Sequence, residues 1–368
     1  MQQTTGEETP LRVLALSPTS LVSGAERVLI DYATFGLTRG EQWSLACPPG
    51  PLAHLAKQAG IAWIETPELR LTGGSKARSL FSLAGRNLQM ARIVRRFADR
   101  FDVILANSVM SLPALVPARV TTPVCWLVHD VITRRDLRLV ARIGGHAVTL
   151  AVAVSDAAME SPAALGIKST VVRNGVKWPV PVAKPVGDPP IVGISAVLTE
   201  WKGHRVFLKA LSQIEQPFRA EILGGTFPGD LSYEAELRET VGNLGLDDRV
   251  DFLGHSDSPL DVMGRWSIAV SASVEPEAGP LSVLEAMSLA IPVVVSDHGG
   301  APEVSSGAGL AVVPGDPGAL AGAISALLSD PPHGVALGQV GRQKVADSFS
   351  LTHSRANFAA VLAGLADT

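Results

Sequence analysis

Short apolar segments alternate with helical segments twice along the 368-residue chain, and this alternation limits the possible folds more than any other feature. The N-terminal strands are predicted at 11–17, 43–48, 61–64, 102–108, 123–130 and 148–155. The pattern restarts with strands at 191–197, 220–225, 250–254, 267–273 and 292–297. Nearly continuous apolar strands separated by helices are typical of parallel sheets covered on both faces. We therefore predict an α/β protein with two doubly wound, Rossmann-like domains facing a central cleft.

A proline-rich segment, WPVPVAKPVGDPP at 178–190, separates the two patterns. Its prolines cannot join a helix or a central strand, so we interpret it as a linker. The predicted domains are then 11–177 and 191–350, preceded by a disordered tail at 1–10. A C-terminal helix at 351–368 could pack back on the N-terminal domain. The tail lacks the basic and apolar regions of a secretory signal, which favours the cytoplasm.

Charge is distributed unevenly between the halves. Residues 1–187 carry 21 Lys and Arg against 13 Asp and Glu, whereas residues 188–368 carry 10 against 22. A basic N-terminal half could attract an anionic acceptor or a membrane surface, and the basic helix predicted at 76–100 could lie on anionic lipid. Two solvated faces that happen to differ explain the charge distribution equally simply. A helix of this kind more often packs its apolar stripe on its own sheet and leaves its basic side chains in solvent.

Several classes of site are disfavoured. Cys47 and Cys125 occur in apolar runs and are interpreted as buried, reduced thiols, and no His/Cys cluster predicts a metal. Aromatic residues make up 5% of the chain, which argues against stacking platforms for nucleic acid. The phosphate loop GxxxxGK[ST] and the nucleophile elbow GxSxG do not occur.

Two glutamates, Glu277 and Glu285, flank the start of a helix predicted near Pro280. Backbone NH groups from Gly279 to Ser282 would form a helix N-terminus, which is suited to binding a diphosphate. The carboxylates could accept hydrogen bonds from the hydroxyls of a sugar and a ribose. Acidic residues that simply complement the helix dipole account for the spacing about as well.

Three further motifs lie at or just after the ends of predicted strands. Lys202-Gly203 could reach a phosphate, although a surface lysine beside a turn glycine is common. His129 could donate to a sugar hydroxyl or act as an acid or base, or it could simply bond a backbone carbonyl. The segment SGAE (23–26) could approach a phosphate, but it is not GxGxxG and also fits a capping box between Ser23 and Glu26.

Taken in order, these motifs resemble retaining glycosyltransferase family four (glycosyl transferases group 1), whose members have the two-domain glycosyltransferase-B fold. SGAE lies where that family has Gly-Gly-x-Glu, VVRNGV resembles its Asn-Gly element, and LTEWKGH resembles its Lys-Gly loop. LGLDDRVDFLGH, the Glu-x7-Glu element, LEAMSLAIPVVVSDHGGAPEV and GLAVVPGDPGALAGAI complete a resemblance that covers nearly the whole chain.

The resemblance implies transfer of a hexose or N-acetylhexosamine from a UDP- or GDP-linked donor to an acceptor hydroxyl, without a metal or another cofactor. The N-terminal domain would bind the acceptor and the C-terminal domain the donor. The implied catalytic residues are His129, Lys202 and Glu277. The implied donor-binding residues are Gly24, Lys202, Gly203, Gly279, Pro280, Leu281, Ser282 and Glu285. Residues implied on the acceptor side are Ser23, Glu26, Asp130 and Asn174.

The sequence departs from the family at Val197, where an arginine that shares the diphosphate is usual; Arg173 and Arg265 are candidate replacements. The acceptor is left open between a polysaccharide, a lipid-linked molecule and a natural product, and it could be anionic. A lipid-linked acceptor would place the protein at the inner face of the membrane. The alternatives are a nucleotide-sugar epimerase of the same fold and a catalytically weakened nucleotide-sugar binding protein.

Overall fold

The computed structural model describes residues 10–69, 76–184, 187–226 and 232–368, with the backbone only for 76–80. The chain divides into two compact units, Met1–Val172 with Arg355–Thr368, and Arg173–Ser354. Apart from residue 10, the predicted tail lies outside the described residues. No helix in the described ranges is both long and apolar enough to cross a membrane.

The first unit is built on a parallel seven-stranded sheet in the order β3-β2-β1-β4-β5-β6-β7. Its strands are β1 Arg12–Leu16, β2 Gln42–Cys47, β3 Ala62–Glu65, β4 Val103–Ala106, β5 Val124–Val128, β6 Leu150–Ala153 and β7 Ser169–Val171. The central strands β4 and β5 are buried along their whole length, as their continuous apolar sequences predict. Burial also raises the pKa of Cys47 to about 11 and that of Cys125 to about 12, so both are inert thiols.

The helices of the first unit are α1 Gly24–Thr38, α2 Pro51–Gln58, α3 Lys76–Phe97, α4 Leu112–Ala118, α5 Arg135–Gly144 and α6 Asp156–Ala164. The strand order reverses at β1, so right-handed crossovers put α1 and α2 on one face and α3 to α6 on the other. The long basic helix ends at Phe97 and continues as a 3₁₀ turn at Ala98–Arg100.

The second unit has a parallel six-stranded sheet in the order β10-β9-β8-β11-β12-β13. Its strands are β8 Ile191–Ser195, β9 Arg219–Leu223, β10 Val250–Gly254, β11 Ile268–Ser271, β12 Val293–Ser296 and β13 Gly309–Val312. Its helices are α7 His204–Leu211, α8 Ser232–Asn243, α9 Pro259–Met263, α10 Leu281–Ser288, α11 Ala301–Ser305, α12 Pro317–Ser329 and α13 Pro331–Ser348. The order reverses between β8 and β11, which creates the crevice where such sheets bind ligands.

The boundary between the units differs from the predicted one. Residues 173–177, which the sequence assigned to the N-terminal domain, belong to the second unit, where the NH of Val176 donates to the Phe349 carbonyl at 2.9 Å. Nor is the described part of the proline-rich segment a free linker. Val180 is 7% exposed, and Arg342 donates to its carbonyl at 2.7 Å. A high proline content indicates that a segment forms neither helix nor strand, but such a segment can still pack against a domain.

The last helix, α14 Leu351–Ala366, carries the chain from the second unit into the first. The change occurs at Arg355, whereas the sequence placed the start of the returning segment at 351. Arg355 forms an ion pair with Asp31 on α1, and Phe358 stacks on Tyr32 with ring centroids 4.1 Å apart. These contacts attach the C-terminus to the face of the first sheet that α1 covers.

Candidate functional site

An ion pair between Lys202 and Glu277 lies at the carboxyl edge of the second sheet. Lys202 ends a 3₁₀ turn after β8, and Glu277 lies in the loop after β11, the neighbouring strand. The Lys202 Nζ is 2.5 Å from the Glu277 Oε2, and the two side chains are 18% and 11% exposed. Ser273 donates its hydroxyl hydrogen to the other carboxylate oxygen of Glu277. The two charges therefore flank the point where the strand order reverses.

Gly203 holds the lysine loop against β11. Its φ of +74° lies in the left-handed region, and a Cβ at this position would come within 1.8 Å of the Ala272 carbonyl oxygen. The glycine thus permits a close approach to the protein's own backbone. On the other side, the Trp201 ring centroid lies 4.1 Å from the Lys202 Nζ. Lys202 is fixed by backbone packing, an aromatic face and a carboxylate.

Two hydrogen bonds hold the loop that carries Glu277. Gly300 donates its NH to the Glu277 carbonyl at 2.7 Å, and Asn174 donates its amide to the Gly279 carbonyl at 3.0 Å. Asn174 is 4% exposed and belongs to the second unit. The prediction that put Asn174 with the acceptor-side residues of the N-terminal domain is therefore wrong about its position. It supports the Glu277 loop instead.

Helix α10 begins at Leu281, and Pro280, where the sequence predicted the start of the helix, is its N-cap residue. Its core face buries Val283 and Leu284, while Ser282 and Glu285 lie on the partly exposed face. Glu285 sits one turn into the helix on that face. The structure thus brings Lys202, Glu277, the first turn of α10 and Glu285 to one edge of one sheet.

Val197 lies in the loop after β8 and is 36% exposed, so no cation occupies the position of the usual arginine. Of the two candidate replacements, Arg265 precedes β11 and pairs with Glu221 at 2.9 Å, at the amino ends of the strands. Arg173 pairs at 2.5 Å with Glu303, which lies in α11 after β12 at the carboxyl edge. Only Arg173 lies at the same edge as Lys202.

In the first unit, His129 follows β5 and contacts Asn107, which follows β4. The distance from the His129 Nε2 to the Asn107 Oδ1 is 3.1 Å. Burial lowers the pKa of His129 to about 4, so the imidazole is neutral at neutral pH. With Nε2 donating to the amide oxygen, Nδ1 is left as an acceptor. Nothing in the sequence marks Asn107 except its place at the end of a strand.

Ser23 and Glu26 pair with each other at the start of α1. The NH and the hydroxyl of Ser23 donate to the Glu26 Oε2 at 3.1 Å and 2.5 Å, and Glu26 is buried. The capping-box interpretation therefore describes this turn. Gly24 is the first residue of the helix and is exposed. Desolvation, and to a smaller extent the Glu26 carboxylate, raises the pKa of Asp130, although that residue keeps exposed surface.

Within the described ranges, no group of three or more His, Cys, Asp and Glu side chains could hold a metal ion. The carboxyl edge of the second sheet has the features of an anion-binding site with carboxylate acceptors beside it. A paired lysine, a helix N-terminus and two glutamates can bind a phosphorylated, hydroxyl-rich ligand.

Two family profiles match consecutive parts of the chain. The profile "Glycosyl transferases group 1" matches residues 181–344, and "Glycosyltransferase Family 4" matches residues 22–177. Together they account for most of both units.

Relatives in sequence include the lipopolysaccharide core biosynthesis mannosyltransferase LpsB of Rhizobium meliloti, 30% identical over 185 residues, covering 47% of this chain and 51% of the relative. A GDP-mannose-dependent alpha-(1-6)-phosphatidylinositol monomannoside mannosyltransferase of Mycolicibacterium smegmatis is 29% identical over 191 residues, covering 49% of each chain. The matched region thus spans about half the length of these relatives.

Solved structures share the fold over nearly the whole chain. HepE of Anabaena in complex with UDP-glucose superposes with a TM-score of 0.81 at 23% identity, covering 96% of this chain and 100% of that one. Sucrose-phosphate synthase of Thermosynechococcus elongatus gives a TM-score of 0.78 at 19% identity, covering 96% and 99%. At these identities the likeness concerns the fold.

Proposed function

Because the chain belongs to the family four, or group 1, glycosyltransferases and has their glycosyltransferase-B fold, we propose that it transfers a sugar from a nucleoside diphosphate sugar to an acceptor hydroxyl. One observation carries this proposal above the others. Lys202 and Glu277 meet across the crevice between β8 and β11, where doubly wound sheets bind nucleotides. One of the relatives is named as GDP-mannose-dependent, and HepE was crystallised with UDP-glucose.

Each residue of the site binds a different part of the donor. Lys202 binds the diphosphate together with the NH groups of the first turn of α10, which begins at Leu281. Glu277 accepts hydrogen bonds from hydroxyls of the transferred sugar, and Glu285 accepts them from the ribose. Arg173 provides the second positive charge that Val197 cannot, after exchanging its Glu303 contact for a phosphate oxygen.

The reaction proceeds with retention of configuration. The bond between the anomeric carbon and the diphosphate oxygen breaks, and Lys202 stabilises the negative charge that develops on the diphosphate. The acceptor oxygen forms its bond to the anomeric carbon on the same face. Its proton passes to a phosphate oxygen of the leaving group, so no enzyme nucleophile is required. No metal or further cofactor takes part.

His129 contacts the sugar near the reacting carbon as a neutral imidazole. Its lowered pKa keeps it uncharged at neutral pH, so it acts through hydrogen bonds rather than as a cation. Gly24 contributes to donor binding, and Ser23, Glu26 and Asp130 contribute to the acceptor side. The acceptor is a hydroxyl of a polysaccharide, of a lipid-linked molecule or of a natural product, and the site of action is cytoplasmic.

A donor panel tests the proposal directly. The full chain is incubated with UDP- and GDP-linked hexoses and N-acetylhexosamines, with and without acceptor mixtures, in the presence of EDTA, and release of UDP or GDP is measured. We expect acceptor-dependent release from one donor, and an anomeric configuration in the product equal to that of the donor. Conversion of the donor sugar without acceptor would instead identify an epimerase, and binding without release under every condition a non-catalytic protein.

A further inference from the structure

Helix α5 in the first unit exposes two of its large apolar residues and buries small ones. Ala141 is 1% exposed and Gly144 is buried, whereas Leu139 is 58% and Ile143 50% exposed. A Cβ on Gly144 would come within 2.3 Å of the Leu112 Cβ, so the helix needs this small residue to pack on its neighbour. A surface helix of a soluble protein normally turns its leucines and isoleucines inward.

The exposed face of α5 also carries arginines. Arg135, Arg138 and Arg142 are exposed, and at 100° per residue they lie on one side of this face with Leu139 and Ile143 on the other. The nearest acid on the helix, Asp136, is bound by Arg134 at 2.6 Å. Among the described residues, Arg135 and Arg142 have no carboxylate partner. The face is therefore amphipathic and positively charged.

The neighbouring helices α3 and α4 also expose apolar side chains, and α3 exposes basic ones as well. Helix α4 packs between α3 and α5 and exposes Val116, which is 40% exposed. Helix α3 contains no acidic residue, and its outer stripe combines apolar and basic side chains. The stripe consists of Phe81 (81% exposed), Leu88 (48% exposed), Arg92, Arg95 and Arg96. We call these outward faces of α3, α4 and α5 the α3–α5 surface.

We propose that the α3–α5 surface docks on an anionic lipid bilayer. The arginines would meet lipid phosphates, while Leu139, Ile143 and Phe81 would enter the boundary between headgroups and acyl chains. A soluble polyanion would satisfy the arginines but would leave the apolar side chains in water. The combination of both on one face is what a bilayer surface complements. This proposal goes beyond the proposed function and does not depend on it, because lipid binding needs no donor.

Vesicle sedimentation of the full chain tests the proposal. We expect binding to vesicles of phosphatidylcholine and phosphatidylglycerol in equal parts, and little binding to phosphatidylcholine alone. The double variant Leu139→Ser/Ile143→Ser should weaken binding about tenfold. Arg135→Gln/Arg142→Gln should weaken it by about fivefold per arginine. The matched control is Val335→Ser/Val340→Ser on α13, where the valines are 57% and 45% exposed without such a cluster of arginines.

The replaced side chains are exposed, so the thermal unfolding temperature of each variant should match that of the parent. Absence of binding to the anionic vesicles would overturn the proposal, and so would a control variant that loses as much binding as Leu139→Ser/Ile143→Ser. Vesicle binding that depends on the arginines but is unchanged in Leu139→Ser/Ile143→Ser would also overturn it. That pattern, together with equal binding of polyphosphate by both proteins, would identify a polyanion site.

Discussion

The Nζ of Lys202 lies 2.5 Å from the Oε2 of Glu277, so the cation proposed to hold the donor diphosphate is already paired with the carboxylate proposed to hold its sugar. A diphosphate entering this site must compete with Glu277 for the lysine. The carboxylate that is displaced then becomes available to the sugar hydroxyls. The same contact thus keeps two mostly buried charges compensated before the donor binds.

Neutralising Glu277 should separate nucleotide binding from transfer. In Glu277→Gln, Lys202 loses its competitor, so we expect UDP or GDP to bind severalfold more tightly by calorimetry. Transfer from the intact donor should fall by at least about tenfold, because a charge-assisted hydrogen bond contributes roughly 1.5–3 kcal/mol. Glu275→Gln, an exposed glutamate two residues away, is the control and should change neither quantity. Weaker nucleotide binding in Glu277→Gln would argue against competition for the lysine.

Removing the lysine should have the opposite effect on the nucleotide. Lys202→Met should weaken binding of the nucleoside diphosphate by about 10- to 100-fold, because its charge-assisted contact to phosphate is lost. Binding of the nucleoside alone, which has no phosphate, should change little. An equal loss for nucleoside and nucleoside diphosphate would show that the substitution disturbed the whole site rather than one contact.

Gly203 should tolerate no side chain. Comparison with a second glycine separates the effect of backbone strain from the effect of a clash. Gly203→Ala combines a φ of +74° with a Cβ only 1.8 Å from the Ala272 oxygen, whereas Gly245→Ala has a φ of +65° and open space around it. Backbone strain alone should cost about 1 kcal/mol in both. The added clash should lower the thermal unfolding temperature of Gly203→Ala by several degrees more. Equal temperatures would show that the lysine loop can move away from β11.

The hydrogen bond that Asn174 donates should be needed for stability. Its side-chain amide donates to the Gly279 carbonyl at 3.0 Å in a buried position. In Asn174→Asp, an ionised carboxylate would face that carbonyl, so we expect a loss of about 1–3 kcal/mol in stability at pH 8. Burial raises the pKa of such a carboxyl, and its protonated form can donate, so the loss relative to the parent should shrink toward pH 5. Thermal unfolding at both pH values measures this.

The matched control for that substitution is Asn243→Asp, at the exposed end of α8. It introduces the same charge without a buried carbonyl to face. A loss of stability in Asn243→Asp as large as that in Asn174→Asp would mean that the added charge, and not the Gly279 contact, is responsible.

The sheet edge at which a residue lies can be predicted where the residue follows a strand, whereas a position set by packing cannot. Lys202 and Glu277 could be found because each follows a continuous apolar strand, and carboxyl ends of parallel strands share one edge. Asn174 was assigned to the wrong domain because composition shows where regular structure stops, but not on which unit the chain packs. The spacing in α5 shows amphipathicity, yet only the structure shows that Leu139 and Ile143 face outward.

His204, beside the lysine loop, should make the second unit sensitive to acid. It is fully buried, and its ring packs edge-on against Tyr233. Burial lowers its pKa to about 4, and the nearby backbone of Thr199 offsets only part of that shift. An unfolded histidine titrates near pH 6.5. Between these values the unfolded chain binds a proton that the folded chain does not, so stability falls as the pH falls.

The loss of folding free energy caused by His204 should reach about 2 kcal/mol at pH 5 and about 3 kcal/mol below pH 4. It should vanish above about pH 6.5. His204→Phe keeps a buried aromatic ring that cannot be protonated, so its thermal unfolding temperature should fall less between pH 7.5 and pH 5 than that of the parent. His333→Gln, at an exposed histidine, should follow the parent over the same range. If His204→Phe and the parent lose stability in parallel, the acid sensitivity arises elsewhere in the protein.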